Sequence, residues 1–131
     1  MKFRFASFII TVYSLIGIGV VVNSEFETKA VFNLLSYIFL YITIPIYGAY
    51  GIWKQDLTSV VISLLFFTSQ SIRAIDGRSW FPYPPPFSLG VPFGDFSDGQ
   101  GYLFDYFAAS MVIFLAFLVR VLFTSNKKST R

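Results

Sequence analysis

The sequence predicts an all-α integral membrane protein, a four-transmembrane-helix bundle whose two ends lie in the cytoplasm. A long ordered loop, rich in proline and aromatic residues, is expected on the outer side between helices 3 and 4. Three observations lead there: an apolar composition, four apolar runs of bilayer length, and charges sorted to opposite ends of those runs. Of the 131 residues, 55% are hydrophobic, 21% are aromatic and only 13% are charged. A soluble domain carries about 25% charged residues. A small soluble protein with so little charge would expose large apolar patches and aggregate, whereas a lipid-facing surface needs no polar coat.

A helix crossing a hydrocarbon core of about 30 Å needs about 20 apolar residues. The first such run is Phe5–Val22 and the second is Val31–Trp53. The third is Leu57–Ile75 and the fourth is Tyr102–Phe123. In lipid each is expected to be helical, because a lone strand would leave its backbone groups unpaired. The basic start of the chain resembles the n-region of a signal peptide. Its apolar part is longer than the usual h-region of about 7–15 residues, so a retained span is expected. The chain reads as a single membrane domain that ends in a basic cytoplasmic tail, residues 124–131.

Orientation follows from the positive-inside rule. With both ends inside, the inner side holds Lys2, Arg4, Lys54, Arg120, Lys127, Lys128 and Arg131. The outer side holds Lys29, Arg73 and Arg78 together with every acidic residue except Asp56. A bacterial inner membrane, with a periplasmic loop, is the expected location.

The connections fit this order. Lys54–Asp56 is short enough only for a tight helical hairpin, with Asp56 placed to cap the third helix. Ser24–Glu27 has the spacing of a capping box ahead of the second span. Pro45 removes one backbone hydrogen bond inside that span and should kink it. Small and weakly polar residues mark expected helix contacts, since they let backbones approach closely. They are Ser7, Thr11, Ser14 and Gly17 in the first span and Gly48 and Gly51 in the second. The third has Ser59, Ser63 and Gln70, and the fourth has Ala109 and Ala116.

The outer loop, residues 76–101, holds five of the six prolines and five of the nine glycines. Pro82–Pro86 should be extended polyproline II. The loop has too many aromatics for a solvated linker. Trp80, Phe81, Tyr83, Phe87, Phe93 and Phe96 are the candidate partner-docking residues, because rigid aromatics lose little entropy on binding. The same residues suit an interfacial cap over the helix ends.

No ionisable residue falls at the middle of a span, where it would mark an ion path. The candidate polar network lies at the outer side: Gln70, Arg73 and Asp76 along one face of the third helix, and Asp105 at the start of the fourth. An Arg73–Asp105 pair would fasten the two ends of the loop, and exchanging the two charges should preserve it.

The chain contains no cysteine and no histidine. This excludes disulfides, Cys/His zinc sites, iron–sulfur clusters and Ser–His–Asp or Cys–His chemistry. The DFSDG stretch at 95–99 lacks the acids that an EF-hand loop requires. No catalytic residue, cofactor or metal is therefore expected. The expected role is a non-catalytic membrane subunit that stabilises or regulates a larger complex through its helices and outer loop. The expected partners are the lipid bilayer and other membrane subunits, or further copies of the chain, and not nucleic acid. A self-assembling pore or carrier, or a protein binding a lipid or isoprenoid within the membrane, is the alternative.

Overall fold

The computed structural model describes residues 1–23, 31–74, 86–94 and 101–129. About 80% of them are helical, and three helical segments are long and apolar enough to cross a membrane. Helix α1 is Lys2–Asn23. Helices α2 (Val31–Ile38) and α3 (Ile44–Trp53) form one continuous segment through a π-turn at Phe39–Thr43. Helix α4 is Leu57–Ser71 and α5 is Tyr106–Ser129. Helix α1 packs on α3, α3 on α4, and α4 on α5, while α1 and α5 touch only lightly.

The π-turn has a local cause. Pro45 has no N–H to give the Tyr41 carbonyl, and its ring would crowd that carbonyl in an α-turn. The turn widens instead, with the Ile44 N–H bonded to the Phe39 carbonyl. The Tyr41 carbonyl comes against α1 at Gly17, where a Cβ would lie 3.1 Å from it. Gly17 therefore lets the widened turn seat on α1.

The α3–α4 connection is equally determined. Gln55 adopts a left-handed conformation, with φ of 59°. Its N–H bonds to the Ile52 carbonyl at 3.0 Å, and that of Asp56 to the Gly51 carbonyl at 2.9 Å. This is the Schellman ending of a helix. Asp56 then starts α4: its Oδ2 accepts from the Ser59 backbone N–H at 2.9 Å and the Ser59 hydroxyl at 2.7 Å. Those two donors, the hydroxyl first, hold the Asp56 carboxyl below the usual carboxylate range.

Helices α3 and α4 meet through the glycines and serines. A Cβ at Gly48 would collide with the Ser63 hydroxyl, and one at Gly51 with both the Cβ and the hydroxyl of Ser59. Ser7 on α1 donates to the Ala49 carbonyl at 2.7 Å. Thr11 instead is exposed and bonds back to the Ser7 carbonyl. The fourth span departs from expectation. Its buried face is Ala108, Met111, Leu115, Leu118 and Leu122, while Ala109 is half-buried and Ala116 is exposed. Bulky residues at these positions fill the space against α4, so no close backbone approach is made through those two alanines.

The end of the bundle where α4 finishes departs further. Helix α4 stops at Ser71 and not at Ile75, because Ile72 turns extended, with φ −128° and ψ 123°. Ile72–Ala74 is strand β1, Gly90–Phe93 is β2 and Tyr102–Asp105 is β3. They form an antiparallel sheet in the order β1-β3-β2. Arg73 sits opposite Leu103, and Gly90 opposite Asp105. The chain from Tyr102 to Asp105 is therefore strand, and α5 begins only at Tyr106. Backbone groups that leave α4 find partners across the sheet and not in another helical turn. At the other end α5 runs on to Ser129, so most of the expected tail is helical.

The core contains an aromatic cluster. Tyr13 stacks on Phe107 with ring centres 5.9 Å apart and meets Phe67 edge-on at 5.5 Å. Tyr41 and Phe66 complete the cluster. The exterior is apolar as well: Phe32 is 79% exposed and Ile113 is 73% exposed. These surfaces are compatible with a membrane protein, for which lipid is the solvent.

Gly51→Ala should lower the midpoint of thermal unfolding in detergent by several degrees, since it displaces the Ser59 backbone side and its cap. An overpacked contact of this kind costs about 1–3 kcal/mol. Gly48→Ala meets only a hydroxyl that can rotate and should cost clearly less.

Candidate functional site

Two of the polar residues that sequence reasoning singled out, Arg73 and Asp105, meet where α4, the sheet and α5 come together. Asp105 ends β3 and is the residue before α5, and it is 1% exposed. Its Oδ1 accepts from the Ala108 N–H at 3.1 Å, which caps the helix. The same oxygen accepts from the Leu89 N–H at 3.3 Å, tying in the segment that leads to β2. The Tyr106 N–H reinforces this join by donating to the Leu89 carbonyl at 3.0 Å.

Arg73 lies on β1, one strand over. Its Nη2 donates to the Ser88 hydroxyl at 2.8 Å and stands 3.8 Å from Asp105 Oδ2. The structure thus brings Arg73 and Asp105 together, though through strand pairing and not along a helix face. Since α4 has ended, Gln70 and Arg73 are not helical neighbours at i, i+3. Gln70 points into the bundle, where its Oε1 accepts from the Tyr13 hydroxyl at 3.0 Å. Asp76 lies outside the described residues, as do Trp80, Phe81, Tyr83, Phe96, the Pro82–Pro85 part of the proline run and the Ser24–Glu27 capping box.

The Gln70 Nε2, Arg73 Nε and Asp105 Oδ2 atoms are buried and have no hydrogen-bond partner among the described residues. The cluster therefore holds two donors and one acceptor beyond those it uses internally. Its chemistry is that of a fastener: charge and hydrogen bonds join the end of α4 and the start of α5 to the sheet. Among the described residues, no group of three or more His, Cys, Asp or Glu could hold a metal ion.

Two of the aromatic docking residues are described, and they differ. Phe87, 39% exposed, meets Phe107 edge-on, with ring centres 4.9 Å apart. Together with Phe8, Val12, Tyr13, Ile16 and Phe107 it lines an apolar groove of about 200 Å³ between α1 and α5. Phe93 turns outward and stacks on Tyr102 at 5.8 Å. All four residues of β2 are exposed. Leu89, Val91 and Phe93 alternate along one face, extending the apolar surface that Phe93 shares with Tyr102. Pro92, which cannot donate to a ladder, sits where an edge strand allows it.

Sequence reasoning missed Ser88, the Tyr13 hydroxyl and the capping role of Asp105. The last had a signal: an aspartate directly before an apolar run marks a helix start. Ser88 and Tyr13 had none, because their partners are distant in the chain.

No protein-family model, curated protein or solved structure matches this chain.

The roles of the two charges are not symmetric, since Asp105 also caps α5 and holds Leu89. Exchanging them, as Arg73→Asp with Asp105→Arg, should therefore not restore stability. Arg73→Met alone leaves a buried carboxylate without its cation and should cost about 3 kcal/mol. Adding Asp105→Asn should recover part of that loss, because the amide oxygen still caps α5. Thermal or denaturant unfolding of the wild type and these three variants in detergent measures this coupling.

Proposed function

We propose that this chain is a small, non-catalytic integral membrane protein that stabilises or regulates a larger membrane complex, docking through the apolar face of its sheet. The proposal places it in a bacterial inner membrane with four crossings. Both termini are cytoplasmic, the sheet sits at the outer boundary of the hydrocarbon core, and the loop is periplasmic.

Helix α4 supports the fourth crossing only with help. Its 15 residues span about 22 Å at about 1.5 Å per residue, short of a hydrocarbon core of about 30 Å. The three residues of β1 add about 10 Å. Non-helical backbone is tolerated at that depth when protein covers or pairs it, and β1 is paired with β3.

Charge supports the orientation. Lys2 lies over the Phe117 ring at 4.9 Å, and Arg4 over Trp53 at 5.2 Å. Those contacts gather the start of α1, the end of α3 and the latter part of α5 at one basic end, opposite the sheet. The positive-inside rule turns that end toward the cytoplasm.

The observation that carries the docking role is strand β2. It is an edge strand, exposed along its whole length, and it sets Val91 and Phe93 on the face that Phe93 shares with Tyr102, with exposed Leu89 just before it. Edge strands with an apolar face are surfaces on which other chains pair or pack. Further copies of this chain would use the same surface.

A second reading, binding of a lipid or isoprenoid chain, is favoured by the groove between α1 and α5, which is lined by apolar side chains throughout. A self-assembling pore draws less support. The Ser59, Ser63 and Gln70 stripe that would line its lumen is buried inside one copy.

Affinity isolation from native membranes in mild detergent, followed by mass spectrometry, tests the docking role. The wild-type chain should emerge in a stoichiometric hetero-complex, and Val91→Lys with Phe93→Ala should release the partner while leaving the unfolding midpoint within a few degrees. A wild-type chain that emerges alone, or a variant that keeps its partner, would overturn it.

A further inference from the structure

We infer that the C-terminal half of α5 carries a docking site for the headgroup of an anionic phospholipid, formed by Arg120 and Lys128. The inference rests on the membrane reading above but not on its orientation.

Helix α5 does not fray at Phe123, where the apolar run ends; it continues to Ser129. That continuation sets Phe117, Arg120, Val121, Thr124, Ser125 and Lys128 along one face, where they line an open depression of about 410 Å³. The spacing of three and four residues keeps them on one side of the helix. The neighbouring face, with Leu115, Leu118 and Leu122, is the one buried in the bundle. Arg120, Thr124, Ser125 and Lys128 are exposed.

The stripe changes character along its length. It begins at the apolar Phe117 and Val121 and ends at the cationic Lys128, about 16 Å further along the axis at about 1.5 Å per residue. A membrane lipid has that same gradient, from acyl chain through glycerol to phosphate. Lys2 of α1 lies at the Phe117 end of the stripe, its ammonium 4.9 Å from the centre of that ring, and is not among the residues that line the depression. The Thr124 hydroxyl is committed to the Arg120 carbonyl at 2.9 Å, so the cations and Ser125 are left to meet the phosphate. The one acid in the connection at this end, Asp56, is engaged by Ser59.

Charge decides between occupants. A second copy would set Arg120 and Lys128 against the same cations and be repelled, whereas an anionic headgroup is attracted. Juxtamembrane lysines and arginines gain about fivefold in binding each from an anionic surface. A zwitterionic headgroup offers no such net attraction.

The full chain in symmetric phosphatidylcholine vesicles, with a trace of spin-labelled phosphatidylglycerol or phosphatidylcholine, tests the site. Electron paramagnetic resonance reads the lipid fraction immobilised at the protein surface. At low salt the wild type should hold phosphatidylglycerol about fivefold or more over phosphatidylcholine, and high salt should erase the preference. Arg120→Gln with Lys128→Gln should bring the ratio close to one, while Lys54→Gln, at the same end but outside the depression, should leave it unchanged. Equal immobilisation of both lipids by the wild type would overturn the site. So would a preference that survives the double substitution, or one that Lys54→Gln reduces as much. So would immobilised lipid that falls as protein is packed more densely in wild type alone, since a second copy would then occupy the face. Absence of any immobilised lipid would instead overturn the membrane reading itself.

Discussion

Backbone groups in a dry, apolar bundle have to find partners within the chain, and this protein is organised around the place where α4 stops supplying them. At Ile72 the helix gives way to β1, whose groups pair with β3. Strand β3 then runs directly into α5 through Asp105. One carboxylate therefore joins three things: it caps α5, holds the approach to β2 and faces Arg73 on β1. Were α4 to continue as a helix, Arg73 would be carried away from Ser88 and the sheet would lose one edge. The polar cluster and the exposed β2 face both follow from that single change of backbone conformation.

Elsewhere in the bundle close approach governs the packing. Gly48 and Gly51 bring α3 against Ser63 and Ser59, and Gly17 receives the widened turn ahead of Pro45. In lipid there is little hydrophobic drive between helices, so contact distance and a few hydrogen bonds decide the packing. The Ser7 bond to the Ala49 carbonyl is one of those, made between two helices that the sequence marks with small residues. Bulky side chains fill the remaining interior, most densely where Tyr13, Phe66, Phe67 and Phe107 meet.

Much of this was legible in the sequence because it is local. Apolar runs give α1 and the α2–α3 segment, three residues give the hairpin, and Asp56 gives the start of α4. Gly48, Gly51, Ser59 and Ser63 were readable as contacts from size alone. The sheet was not. Ile72-Arg-Ala and Tyr102-Leu-Phe-Asp are short apolar segments next to long helices, and over so few residues periodicity does not separate strand from helix. Their pairing also depends on partners some 30 residues apart. The meeting of Arg73 with Asp105 follows from opposite charges at the two ends of one loop, but the route to it is a strand and not the helix face that the spacing suggests. Alanines 109 and 116 show the converse error, since small size alone does not say which way a residue faces.

The chain's lack of cysteine makes its arrangement in a membrane directly measurable. Single cysteines at Lys54, Gly94 and Ser129, each tested with a membrane-impermeant maleimide on intact spheroplasts, report the side on which the hairpin, the sheet and the end of α5 lie. Four crossings with both ends in the cytoplasm require that only the cysteine at Gly94 reacts before the membrane is opened, and that those at Lys54 and Ser129 react afterwards. Labelling at Gly94 and Lys54 from the same side would mean that α4 and β1 do not cross, which would contradict the arrangement at its centre.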